Sequence, residues 1–116
     1  MTNRRLAAAL GAIGIALGAF GAHGLQDLVA PERLETWETA SRYHLLHAVA
    51  MLALPDDARR TRQLWLAGVT LFSGSLYALV LLDLPILGAV TPLGGLSFIA
   101  GWALLGWRAT SGPPAA

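Results

Sequence analysis

The chain has 116 residues, 55% of them hydrophobic and only 13% charged, and a formal net charge of +1. A soluble domain carries about 25% charged residues, so the deficit marks lipid as part of the solvent, while the near-neutral balance without a basic stripe excludes nucleic acid as a partner. The absence of Cys removes disulfides, thiolate metal sites, iron–sulfur clusters and a cysteine nucleophile, and because every Lys or Arg is an Arg, Schiff-base chemistry on lysine is excluded as well.

A membrane-crossing helix needs about 20 apolar residues for about 30 Å of hydrocarbon. Residues 6–25 supply the first such run. Arg4-Arg5 followed by an apolar stretch also fits a cleaved signal peptide, but the run is longer than a signal core, so a retained span is expected. Within it, a turn of about 100° per residue gathers Ala7, Gly11, Gly14, Gly18, Gly21 and Ala22 into one narrow arc, opposite Leu6, Leu10, Ile13, Leu17 and Phe20. Small residues at such spacing let helix backbones approach closely in lipid. Gly11, Gly14, Gly18 and Gly21 therefore form a packing seam, for a partner helix in the same chain or in a second copy. His23 is expected to close the outer end of this helix, with Gly24 as its C′ residue.

The second run, 35–54, is preceded by charge. Pro31 suits a first helical position, and Glu32 and Glu35 suit a first turn, which predicts one helix over 31–54. On the insertion scale, Glu35, Glu38 and Arg42 at the bilayer centre would together cost about 9 kcal/mol, against about 2.5 kcal/mol returned by the leucines and valine that follow. These three cannot face lipid at mid-membrane. The N-terminal half of the helix is expected to emerge into, or lie along, the outer interface.

The third run covers 64–82 and the fourth 88–107. In the third, Ala67, Thr70, Gly74, Tyr77, Ala78 and Leu81 share a face that reads as a second seam, with Trp65, Val69, Phe72 and Leu76 turned away. Asp83 and Pro85 mark the turn between them, and Thr91-Pro92 reads as an N-cap followed by proline at the first helical position. In the fourth, Gly94, Ser97 and Gly101 fall together. Trp37, Trp65, Trp102 and Trp107 suit interfacial aromatic belts. The Ser- and Pro-containing stretch 111–116 reads as a disordered tail.

With four spans, Arg4, Arg5, Arg59, Arg60, Arg62 and Arg108 lie on one side, and only Arg33 and Arg42 on the other. The positive-inside rule then puts both termini in the cytoplasm. The expected fold is all-α: one four-helix transmembrane domain over residues 1–110.

Ionisable side chains within such a bundle are the first places to look for function. His44 and His47 are three apart on a face with Tyr43, and Tyr77 lies on the third helix, so Tyr43, His44, His47 and Tyr77 form a candidate polar intramembrane site. The histidines suit a proton relay or half of a metal site; equally, each neutral imidazole suits an interhelical hydrogen bond, which is the preferred reading. His23 lies about 10 Å from His44 in depth by helical rise, too far to complete a metal site, so no metal ligand set and no cofactor is expected. Ser73 and Ser75 lack the preceding strand that a nucleophile elbow requires, so no catalytic residue is assigned.

The blocks GAFGAHGL (18–25), Tyr43 to His47 with three residues between, LFSGSLY (71–77) and TPLGGLSFIAGW (91–102) resemble one family over nearly the whole chain. It is the group of small bacterial inner-membrane proteins labelled domain-of-unknown-function 423, to which eukaryotic transmembrane protein 256 is similar. The resemblance implies a multi-pass protein of the bacterial inner membrane. It singles out His23, Tyr43, His47, Ser73, Ser75, Tyr77, Thr91 and Pro92, and it implies a polar residue, usually not His, at position 44. It implies no activity. The expected function is non-enzymatic: a helix-packing, oligomerising or partner- and lipid-binding membrane component, whose partners are membrane lipids, a second copy or other membrane proteins. The alternative is transport of a proton, ion or small molecule at an oligomer interface.

Overall fold

The computed structural model describes residues 2–110; the tail expected at 111–116 lies outside them. The described chain is helical, with no strand among these residues. Helix α1 (Asn3–His23) opens on Thr2, whose side chain accepts the Arg5 backbone N–H at 3.2 Å, one of the donors that every helix start leaves free. Helix α2 (Pro31–Leu52) begins with its proline at N1. Helices α3 (Arg59–Gly68) and α4 (Gly74–Leu82) join through a π-helical turn, Val69–Ser73, into one rod. A short 3₁₀ turn, Pro85–Ala89, leads into α5 (Thr91–Thr110). Asp83 ends α4 in the left-handed region at φ 52°, its N–H on the Leu79 carbonyl.

Three of these rods, Asn3–His23, Arg59–Leu82 and the stretch Pro85–Thr110, are long and apolar enough to cross a membrane. Helix α2 is as long, but its charges set it apart. It nevertheless lies at the centre of the packing, against α1 on one side and against α4 and the π turn on the other, while α5 packs on α3 and the π turn.

The seam on α1 closes within the chain. Ala7, Gly14 and Gly21 are buried, a seven-residue repeat that keeps facing one neighbour. A Cβ on Gly21 would collide with the Trp37 indole, and one on Gly14 would meet Leu45 and His44. Gly18 leaves van der Waals room beside Ser41, and Gly11 faces open space. The seam is thus the bed for α2, and Gly11 is the one seam glycine that α2 leaves uncovered.

Several local expectations change. Gly24 is right-handed, at φ −92°, so it is no left-handed C′ residue; the α1 end turns without one. The face expected to pack on the third helix is displaced: Thr70 and Leu81 are exposed while Trp65 and Val69 are buried. Trp65 is held inward by the rings of His47 and Trp102, and the π turn bears only on the residues that follow it. The Gly74 N–H reaches back five residues to the Val69 carbonyl, so the residue per turn that it adds rotates everything beyond it. Trp37 and Trp65 are each 1% exposed, core anchors rather than belt residues, while Trp107, at 69%, remains free to meet an interface. Thr91 is the first residue of α5, and its hydroxyl pairs with Ser75 at 2.6 Å rather than capping.

Two apolar clusters form the core. One gathers Ala7, Met51, Leu54, Ala58, Trp65, Val69 and Phe98 toward the end that carries Arg4 and Arg5. The other gathers Leu25, Trp37, Leu79 and Val80 at the opposite end. Ion pairs of 3.0 Å (Arg33–Asp83) and 2.8 Å (Arg108–Asp57) clip the two ends; being exposed, each is worth at most about 1 kcal/mol.

At Gly94 in α5, a Cβ would run into the backbone of Phe72 in the π turn, and backbone cannot give way. Gly94→Ala should therefore destabilise the protein in detergent by about 1–3 kcal/mol, the usual penalty of overpacking. Gly11→Ala should leave stability unchanged or raised. Thermal unfolding of both variants checks the contrast.

Candidate functional site

Between the two apolar clusters lies a layer of polar side chains, most of them on α2. The spacing of Trp37, Ser41 and His44 (four, then three residues) turns all of them toward α1 and α4. The Trp37 indole Nε1–H donates to the Leu17 carbonyl at 2.7 Å. His44 Nε2–H donates to the Leu10 carbonyl at 2.9 Å. A carbonyl only accepts, so this bond assigns the tautomer and leaves His44 Nδ1 as an acceptor. The Tyr77 hydroxyl, 3.0 Å away, donates to it, and Ser41 Oγ, at 3.4 Å from the same hydroxyl, can then donate to Tyr77. Ser41, Tyr77, His44 and the Leu10 carbonyl form one hydrogen-bonded chain.

His47, one turn along α2, faces elsewhere. Its Nδ1–H donates to the Tyr43 carbonyl at 2.7 Å, so its Nε2 accepts the Trp102 indole N–H at 3.0 Å. The ring stacks on Phe98 with centroids 3.8 Å apart and meets the edge of Trp65. Both nitrogens are matched in the neutral ring. A second proton on Nε2 would oppose the Trp102 donor.

The four residues of the candidate polar site therefore divide. His44 and Tyr77 are bonded; His47 belongs to an aromatic cluster with Phe98, Trp65 and Trp102; Tyr43 contributes its carbonyl to His47, while its ring packs on Phe72 and stays 40% exposed. Tyr43, Phe72, Phe98 and Trp102 wall a shallow, open, mainly apolar groove of about 320 Å³ on the outer surface. His23 is exposed at the end of α1. Among the described residues no three His, Asp or Glu side chains come together in a metal-binding group. Ser73 donates to the Ala40 carbonyl at 2.8 Å, and Ser75 bonds the Phe72 carbonyl as well as Thr91. Pro92 is exposed in the first turn of α5.

Two further bonds repeat the pattern. Asn3 donates to the Met51 carbonyl at 2.8 Å and Ser97 to the Leu64 carbonyl at 2.6 Å. Sequence reasoning gave Trp37, Ser41, Asn3 and Trp102 no part in the polar layer. The spacing that joins Trp37 and Ser41 to His44 was a usable signal, since indole and hydroxyl groups need partners once buried.

The chain matches the family model described as "Protein of unknown function (DUF423)" over residues 17–95. It is 41% identical to the UPF0382 membrane protein YwdK of Bacillus subtilis, over 80% of this chain and 83% of that protein. It is 40% identical to the UPF0382 inner membrane protein YgdD of Escherichia coli, over 90% and 88%, and 40% identical to a UPF0382 membrane protein of Schizosaccharomyces pombe, over 90% and 98%. No solved structure matches. The chain belongs to this family of membrane proteins of unknown function.

The division of the polar residues is measurable. A double-mutant cycle between His44→Ala and Tyr77→Phe should give a coupling of about 0.6 kcal/mol, the average for interhelical hydrogen bonds in lipid, and no more than about 1.7 kcal/mol. The same cycle between His47→Ala and Tyr77→Phe should be additive, since the two share no partner. Unfolding in mixed micelles provides the readout.

Proposed function

We propose, taking membership of this family as the premise, that the protein is a four-span component of the bacterial inner membrane that acts by packing, binding membrane lipids, other membrane proteins or a second copy rather than by catalysis. One observation carries this reading. The interior polar side chains Asn3, Trp37, His44, Ser73 and Ser97 each donate to a backbone carbonyl of another helix. These groups hold helices together, and holding them so occupies the donors that chemistry would use.

The fourth span is α2. Its bonds to Leu17, Leu10 and Asn3 run along nearly the whole of α1, a helix apolar enough to cross the bilayer. Two neighbours locked side by side occupy the same depth. Both termini then lie with the arginine-rich ends in the cytoplasm, as the positive-inside rule requires.

Transport along Tyr43, His44, His47 and Tyr77 is the weaker reading. The Ser41–Tyr77–His44 chain ends on a carbonyl that cannot pass a proton on, and His47 opens onto no continuation of it.

The arrangement is tested by reporter fusions at Ala116. A fluorescent protein there should fold and alkaline phosphatase should be inactive, with Asp27→Cys labelled from the periplasm and Asp56→Cys only after permeabilisation. An active phosphatase fusion contradicts the four-span reading.

A further inference from the structure

The open face of α2 carries charge at a depth where lipid does not tolerate it. Spacings of three and four residues place Glu35, Glu38, Arg42, Leu46 and Val49 on one stripe, and all five are exposed. The register against α1 sets their depth. Trp37 lies over Gly21, Ser41 over Gly18, and His44 over Gly14. Arg42, between Ser41 and His44, is level with the stretch from Gly14 to Gly18. At 1.5 Å per residue this is within about 8 Å of the midpoint of α1, well inside a hydrocarbon layer about 30 Å thick. Glu38 is one turn nearer the outer surface, still alongside α1, and Glu35 is level with its end. The two ion pairs among the described residues are Arg33–Asp83 and Arg108–Asp57; Glu38 and Arg42, four apart on α2, form no ion pair with each other or with any other described residue.

We infer that a second copy of this chain covers this stripe, with Arg42 of each protomer paired to Glu38 of the other. This rests on the four-span reading, which puts α2 at membrane depth. Two copies with the same orientation in a bilayer are related by a two-fold axis along the membrane normal, and such an interface is self-complementary: if one residue meets another, the reverse contact follows. Arg42 and Glu38 are one turn apart, so a parallel α2 pair brings opposite charges within reach twice. Below them Leu46, at 52% exposure, and Val49, at 66%, continue the stripe as apolar contacts. An ionisable side chain inside a membrane normally faces a bundle interior and pairs there. Here the interior is formed between protomers. The small-residue seam on α1 is already filled by α2, so self-association falls to α2.

The test uses the full chain, whose lack of Cys makes single-cysteine reporters clean. In native membranes, Val49→Cys should oxidise to a disulfide-linked dimer, while Ile99→Cys on α5 should not. No dimer at Val49→Cys overturns the proposal. The same cysteine should resist a membrane-impermeant maleimide; ready labelling would instead overturn the four-span reading, so the two failures are told apart. Next, Arg42→Glu and Glu38→Arg are each combined with Val49→Cys. Alone, each faces like charges across the axis, and cross-linking should drop at least tenfold. Co-expressed with distinguishable tags, the two variants restore opposite charges at both contacts, and a mixed dimer should return to near the wild-type yield. Full cross-linking by either variant alone, or no recovery in the mixture when both retain wild-type helix content, overturns the pairing. Should a reversal prevent folding, Arg42→Gln takes its place and is expected to lower cross-linking by at least threefold; unchanged yield counts against the ion pair.

Discussion

A leucine gains little by leaving lipid for the inside of a helical bundle, because both are hydrocarbon. What fixes one helix against the next must therefore be close contact and directional bonds. In this protein the directional element is a side-chain donor placed on a carbonyl of the neighbouring helix. Trp37 and His44 tie α2 to α1 at two levels a little under two turns apart, and Asn3 ties the same pair near its other end. Ser73 ties the π turn to α2, and Ser97 ties α5 to α3. Each carbonyl already accepts a bond within its own helix or stands beside one, and its second lone pair takes the extra donor. Sliding α2 by one turn would strand an indole and an imidazole in an apolar core, so the glycines of α1 serve the bonds: they lower the backbone enough for Trp37 and His44 to reach it.

Much of this was legible in the residues. The small-residue arc of α1, the start of α2 at Pro31, the turn at Asp83 and the helical content all follow from periodicity and local punctuation. The faces of the third rod followed only in part: Trp65 turns inward onto His47 and Trp102, and a π turn is a shift of one residue with no compositional mark. Val69–Ser73 reads as ordinary apolar helix, and a fixed turn of about 100° per residue puts Leu81 on the inner face, where it is exposed, although Tyr77 still reaches His44. The tryptophans misled for a different reason. An amphipathic ring suits a membrane interface and an interhelical bond equally well, and only the position of Leu17 and His47 in space decides between them for Trp37 and Trp102. His44 and His47 look like a pair at three-residue spacing, but that spacing is wide enough to send His44 between α1 and α4 and His47 toward α3 and α5.

The charges on α2 are where sequence and structure pull hardest against each other. Energetics forbids Glu38 and Arg42 to face lipid, while the bonds from Trp37 and His44 hold them alongside α1. Lifting the charged half of α2 out of the membrane would require breaking those bonds. A surface that supplies counter-charges resolves the conflict without moving the helix. On the proposed pairing, polar groups of this protein serve assembly, first within the chain and then between two copies.

The claim on which the rest depends is the register of α2 against α1. Magic-angle-spinning NMR of the protein in lipid, with the tryptophan side-chain nitrogen and the leucine carbonyl carbons labelled, reads it directly. The expected result is a through-space correlation between the Trp37 indole nitrogen and the Leu17 carbonyl carbon. A correlation to the Leu10 carbonyl instead, or to no carbonyl of α1, would contradict the register and with it the depth assigned to Glu38 and Arg42.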